Sequence, residues 1–178
     1  MKKLMIFVIV LLFLSSAYAF EKGTINVGGD LSWSSSKSNS DDDEARTDID
    51  IGVQGGYFIK DNLNLNLLLD FRSYSEDESD ESIFGFGLGG RYFFTDKFYA
   101  GPAFIHYSHD MNDYSFTGNF LRLEAGLMHP LMENVYLNFG VDYDMGFGEY
   151  GGDQEGDNEE TYFEIRAGLQ FFFKKHVK

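Results

Sequence analysis

His106 and Ser108 form an H-x-S pair. An imidazole beside a hydroxyl is the minimum for an activated oxygen nucleophile. A different chemistry is suggested by the alternation of Asp153, Glu155, Asp157 and Glu159, whose carboxylates are spaced as oxygen ligands of a calcium loop are. Asn158 stands where such a loop needs glycine, so divalent-cation binding there is a weak expectation. The largest charged set is Arg72, Arg91, Arg122 and Arg166 together with Asp30, Asp48, Asp50, Asp70, Glu124, Asp142, Asp144 and Glu164. Planar guanidinium forks matched to carboxylates suit a confined, hydrogen-bonded network. The 178 residues include no Cys, which excludes disulfides and thiolate metal sites, and no cofactor is expected. A formal charge of -15 leaves no basic surface for nucleic acid.

The chain that must position these groups begins with Lys2 and Lys3, an apolar run from Leu4 to Leu14, and the small-residue pattern Ala17-Tyr18-Ala19. That is a secretory leader, expected to be cleaved before Phe20, so that residues 1–19 are a signal peptide and 20–178 one domain. Losing two lysines takes the charge to -17. No later segment approaches the ~18 consecutive apolar residues of a membrane helix, so a membrane-inserted chain would have to be a closed β-barrel.

From residue 22 onward the period is two. Ile25, Val27, Leu31 and Trp33 oppose Asn26, Asp30 and Ser32; Ile49, Ile51, Val53, Tyr57 and Ile59 oppose Asp48, Asp50 and Gln54. Leu63 to Arg72 and Ile83 to Phe94 continue the pattern, the polar sides holding Asn64, Asn66, Asp70, Arg72 and Arg91. A fifth segment, Phe98 to Ser108, groups Tyr99, Ala103, Ile105 and Tyr107 as the apolar face and directs His106 and Ser108 to the polar one; Pro102 is expected to cause a bulge or local irregularity. Segments at 116–128, 135–147 and 162–173 complete eight strands of about 10 to 13 residues, an even number, as an up-and-down meander requires. Short turns (60–62, 95–97, 129–134) alternate with longer polar loops (35–46, 73–82, 109–115, 148–161), and 17 of the 29 acidic residues lie in those four loops.

Alternation alone does not separate a membrane barrel from an inside-out soluble one of the lipocalin kind. More than thirty large apolar side chains on one set of faces exceed what an eight-stranded lumen can hold, so the apolar faces are expected to point outward and the Gly-, Asn- and Asp-rich faces inward. Tyr57, Tyr92, Phe94, Tyr99, Phe171 and Phe173 at the short-turn end, and Trp33, Phe71, Tyr107, Tyr143 and Phe147 at the other, are then placed as aromatic girdles.

On these residues the chain resembles the small eight-stranded outer-membrane barrels, OmpA-like and OmpX-like. The stretch FGFGLGGRYFF (84–94) followed by FYAGPAFIHYS (98–108) is similar to the glycine-rich middle strands of that family. Arg166, Gly168, Phe171 and Phe173 resemble its terminal signal, read by the barrel-assembly machinery, although Lys174 to Lys178 follow the final aromatic here. The resemblance implies an all-β, eight-stranded antiparallel transmembrane barrel in the cell outer membrane, monomeric and non-enzymatic, with extracellular acidic loops. Its surroundings would be outer-membrane lipid and lipopolysaccharide, with divalent cations as possible bridges. His106 and Ser108 also resemble the motif of outer-membrane lipid A deacylases, without the Asn-Ala that follows in that motif, so a lipid-modifying enzyme stands as one alternative. A soluble periplasmic ligand-binding barrel stands as the other.

Overall fold

A computed structural model describes residues 20–36, 46–76, 79–111, 114–153 and 156–174. Residues 1–19, expected to be a leader, and residues 37–45 of the first acidic loop fall outside them. Eight strands follow in chain order: β1 Ile25–Ser36, β2 Arg46–Lys60, β3 Leu63–Glu76, β4 Ser79–Phe93, β5 Phe98–Met111, β6 Tyr114–Met132, β7 Val135–Gly152 and β8 Thr161–Phe173. Each pairs antiparallel with its neighbours and β8 closes on β1. Turns β2–β3 and β6–β7 are made by Asn62 and Asn134, both at φ 64°, a left-handed conformation that asparagine tolerates better than most residues.

Cross-strand partners fix the stagger of the barrel. From Asn26 the ladder runs through Gly56, Asn66, Gly89, Ala103, Arg122, Asp144 and Tyr162 to Ser36, ten residues further along the strand on which it began. With ~3.3 Å per residue and ~4.8 Å between strands, that shift tilts the strands by about 40° from the barrel axis. Asn26, Asn66, Ala103, Arg122 and Asp144 on this path are all buried inside, so the inside–outside phase is preserved from strand to strand.

The outward faces carry Ile25, Val27, Leu31, Ile51, Val53, Leu65, Leu67, Phe86, Leu88, Leu123, Val141, Ile165 and Leu169, all exposed. Arg91, Arg122, Glu124, Asp142 and Arg166 are buried inside. A soluble barrel would need the reverse, so this arrangement is that of a membrane barrel. Outward aromatic pairs, Phe71–Phe84 at 5.2 Å and Phe104–Phe147 at 5.8 Å toward the long loops, and Tyr92–Phe94 at 5.2 Å toward the short turns, mark the two rims. Leu67, 52% exposed and placed between Gly55 and Leu88, lies in the middle of the belt. Leu67→Arg is expected to destabilise the barrel in lipid vesicles by about 2–4 kcal/mol, read by equilibrium unfolding.

Several expectations are corrected. On β5 the phase is inverted: Tyr99, Ala103, Ile105, Tyr107 and His109 point inward, whereas Phe98, Pro102, Phe104 and His106 are exposed. Tyr99 and Tyr107 therefore leave the girdles. Of the bulge or irregularity expected at Pro102 the second is found: the β4–β5 register is the same at Gly89–Ala103 and at Tyr92–Ala100, and the ladder is interrupted between them. β1 and β8, at 12 and 13 residues, have the expected length, whereas β2 to β7 are longer, 14 to 19 residues, and residues 73–76, 79–82, 109–111 and 148–152 belong to strands rather than loops. The β6–β7 connection shrinks to Glu133 and Asn134. Above an apolar belt both faces of a strand meet polar surroundings, so pairing continues where alternation has ceased.

Candidate functional site

The inward faces are stacked in layers. At the short-turn end Phe20, Phe58, Phe93, Tyr99, Met128 and Phe172 form a buried aromatic plug, with Tyr136 packed against it. Phe58, Phe93, Met128 and Phe172 are apolar residues at polar-phase positions near strand ends, a break in the alternation that was not singled out above. Next comes a layer of amides. Asn26 donates to the Gln170 carbonyl at 3.2 Å, Asn64 donates to the Asn26 carbonyl at 2.8 Å, and Asn138 accepts from the Tyr99 hydroxyl at 3.0 Å.

The charged layer follows. Arg122, with no exposed side-chain surface, is its hub. Its Nε and one terminal nitrogen each donate to Asp144 at 2.8 Å, and that terminal nitrogen also donates to the Tyr107 hydroxyl at 2.7 Å. Asp70, Asp142 and Glu164 lie 3.3, 3.4 and 3.5 Å from the guanidinium. Tyr107 in turn donates to Asp70 at 3.1 Å. Arg91 makes a two-pronged contact with Glu124 at 2.7 and 2.6 Å, donates to Gln54, and sits 4.7 Å above the Tyr99 ring. Tyr99 itself lies across Gly126, where a Cβ would overlap the ring. Arg166 joins Asp142 at 2.6 and 2.8 Å to Glu124 at 3.1 Å, and approaches Asp30 at 3.9 Å. Arg72 grips Asp50 with two nitrogens and reaches Glu164 at 3.4 Å.

Eleven of the twelve charged residues singled out from the sequence are thus brought into one network, seven carboxylates to four guanidinium groups. The side chain of the twelfth, Asp48, lies outside the described residues. Gln54 and Tyr107 belong to the network and were not singled out. Gln54 shares the inward phase of Asp50, which was the available signal, whereas Tyr107 was hidden by the inverted reading of β5.

Above the charges, Ile83, Ile105, Tyr107 and Phe120 close the lumen again, with Tyr162 against them. The cavities left at this level, lined by Arg72, Tyr107, His109, Tyr162 and Glu164 among others, are about 10 Å³ each, enough for a single water. At this level the charges are packed against one another.

The other candidates sit elsewhere. His106 and Ser108 are on the outward face rather than in the lumen, with His106 Nδ1 3.0 Å from the Asn119 side-chain oxygen. Asp153 accepts a hydrogen bond from the Ser115 backbone at 2.8 Å, and Glu149 and Asp157 bridge across the folded-back fourth loop. Asn158 is buried, its amide donating to the Asn119 carbonyl at 2.9 Å, so it fastens this loop to the rim instead of standing in a calcium turn. Glu155 lies outside the described residues, and among the described residues no group of three or more carboxylate or imidazole side chains is arranged to hold a metal ion. Within β8, Arg166 faces inward and Phe171 and Phe173 outward, with Gly168 against the β1 backbone at Asp30.

Residues 5–177 match the family model described as outer membrane protein beta-barrel domain. No curated protein matches the chain. Among solved structures, Neisserial surface protein A (NspA) superposes with a TM-score of 0.68 at 18% identity, covering 85% of this chain and 100% of its own. The outer-membrane protein OprG of Pseudomonas aeruginosa gives 0.58 at 16%, covering 87% and 98%. The attachment invasion locus protein Ail of Yersinia pestis, in complex with the heparin analogue sucrose octasulfate, gives 0.58 at 11%, covering 85% and 99%. At these identities the likeness is one of fold.

Proposed function

The chain belongs to the outer-membrane protein β-barrel family, and on that premise we propose that it is a non-enzymatic, monomeric surface barrel. In this reading the lumen is sealed, the long-loop end is extracellular, and residues 1–19 direct export. The observation that supports it is the succession of plug, amides, ion network and upper aromatic layer among the described residues, with the two cavities beside the ion network about 10 Å³ each. Catalysis and conduction both need space that this interior lacks, so the working surface is the exposed crown.

That crown is acidic: residues 35–46, 73–82, 109–115 and 148–161, strand ends together with their connections, hold 17 carboxylates. Ail has been solved with a polyanionic heparin analogue; a crown of this sign repels such a ligand and favours cationic partners. It also favours divalent cations that bridge carboxylates to lipopolysaccharide phosphates. Arg166, Gly168, Phe171 and Phe173 are proposed as the strand-end signal read by the assembly machinery. The test is fractionation followed by reconstitution. The protein should partition with outer membranes, shift its gel mobility on heating, and give no conductance steps in planar bilayers. Recovery as a soluble protein without detergent, or regular conductance steps, would overturn the reading.

One observation favours a second reading, a lipid-modifying enzyme. His106 and Ser108 face the membrane side, where a lipid acyl ester would lie, and the Asn119 side-chain oxygen can orient the imidazole. Lipid A acylation, measured by mass spectrometry in cells carrying the wild-type chain or Ser108→Ala, separates the two. The surface-barrel reading expects identical profiles.

A further inference from the structure

Phe20 precedes the first strand by five residues, a place where a free tail is the ordinary outcome. Instead it is 3% exposed. Its ring stacks on Phe172 at 4.3 Å, meets Phe93 edge-on at 4.8 Å, and contacts Phe58 and Tyr136 at 5.2 and 5.9 Å. Its backbone is pinned as well. The Phe20 nitrogen lies 3.2 Å from the Asn62 side-chain carbonyl, and the Asn62 N–H donates to the Phe20 carbonyl at 2.9 Å. Two residues on, the Lys22 N–H donates to the Asp61 carboxylate at 2.8 Å. The Asp61-Asn62 turn therefore holds the start of the described chain from both sides, and Asn62 also accepts from the Phe93 N–H at 2.8 Å through its own carbonyl.

We propose that Phe20, once it becomes the first residue, is a docked N-terminus whose ring corks the short-turn mouth and whose α-ammonium is bound by the Asn62 side-chain carbonyl, with the Asp61 carboxylate as counter-charge. The proposal rests on the reading of residues 1–19 as a cleaved leader. Processing strengthens the contact already present: a peptide nitrogen offers one N–H, whereas an ammonium offers three and makes a charge-assisted bond to the same carbonyl. The cork and the barrel then share one aromatic cluster. The chemical class recognised at the turn is a primary ammonium attached to an aromatic residue, supplied by the chain itself.

Intact mass of protein isolated from outer membranes identifies the first residue. Amine-reactive labelling near neutral pH, where α-amines (pKa about 7.7–8.0) react ahead of lysines, then measures its accessibility. The expected result is a mass beginning at Phe20 and labelling at least ~10-fold slower in the folded than in the heat-unfolded protein, a difference of about 1.4 kcal/mol in the opening equilibrium. Asn62→Gly removes the carbonyl while tolerating the φ of 64°, and should restore most of the labelling rate. Phe20→Ala should do the same and keep the heat-dependent mobility shift, which shows that the barrel still forms. Equal labelling in folded and unfolded protein, or no effect of Asn62→Gly, overturns the docked terminus with the leader reading intact. A mass beginning at another residue overturns the leader reading itself, and with it the ammonium site.

Discussion

Arg122→Leu is expected to lower the stability of the folded barrel by about 3–5 kcal/mol, the cost of breaking a buried ion pair from one side. The size follows from what remains. Asp144 loses both of its hydrogen bonds from the guanidinium and is left beside the carboxylates of Asp142 and Glu164. Asp70 keeps the Tyr107 hydroxyl, Asp142 keeps Arg166 and Glu164 keeps Arg72, so the penalty concentrates on one orphaned charge. The interior would then hold seven carboxylates against three guanidinium groups. Equilibrium unfolding in lipid vesicles measures the loss, and the folded band on unheated gels should disappear at a lower temperature. The double substitution Arg122→Leu with Asp144→Leu should recover most of it, because replacing both partners of a buried pair by apolar groups is close to neutral. If Arg122→Leu stayed within about 0.5 kcal/mol of wild type, as a surface change does, the network would have to be solvated rather than packed.

Arg122 was also readable before any coordinates. It lies in phase with Glu124 and out of phase with Leu121 and Leu123, and one charge on a strand is enough to set which face is inside. The same logic oriented β1 to β4 and β6 to β8, each of which has at least one inward-facing Asp, Glu or Arg. It failed on β5, whose core carries none: Phe98, Ala100, Pro102 and Phe104 are about as apolar as Tyr99, Ala103 and Ile105. The phase of β5 is imposed by its neighbours, since Ala103 pairs with the inward Arg122 on one side and the inward-facing Gly89 on the other. Two tyrosines whose hydroxyls need buried partners, Tyr99 and Tyr107, were the signal that this strand did offer. The plug was missed for a related reason. Phe58, Phe93, Met128 and Phe172 interrupt alternation at the strand ends, where an apolar residue in the polar phase looks like a fraying strand until the layer it completes is seen.

Gly101→Ala is expected to be among the most damaging single-atom additions to this barrel, costing about 3 kcal/mol, at the upper end for an overpacked core. A Cβ on Gly101 would overlap the Gly90 carbonyl oxygen and lie 2.8 Å from its carbon and 3.1 Å from the Arg91 Cα. All three are backbone atoms, so no side-chain rotation relieves the contact, and β4 and β5 would have to separate. They can least absorb this here, because Pro102 has no N–H to give and the ladder is already interrupted between Gly89–Ala103 and Tyr92–Ala100. Separation also moves Arg91 away from Glu124 and from the Tyr99 ring, so the packing defect reaches the charged layer. Gly55→Ala is the matched control. Its new methyl would meet nothing closer than the Asn26 carbonyl at 4.0 Å, and the change should stay within about 0.5 kcal/mol of wild type. Pro102→Ala combined with Gly101→Ala separates the two causes. The restored N–H can mend a ladder but cannot remove a clash, so the double variant should remain as unstable as Gly101→Ala alone; recovery to wild-type stability in vesicle unfolding would assign the weakness to the proline instead.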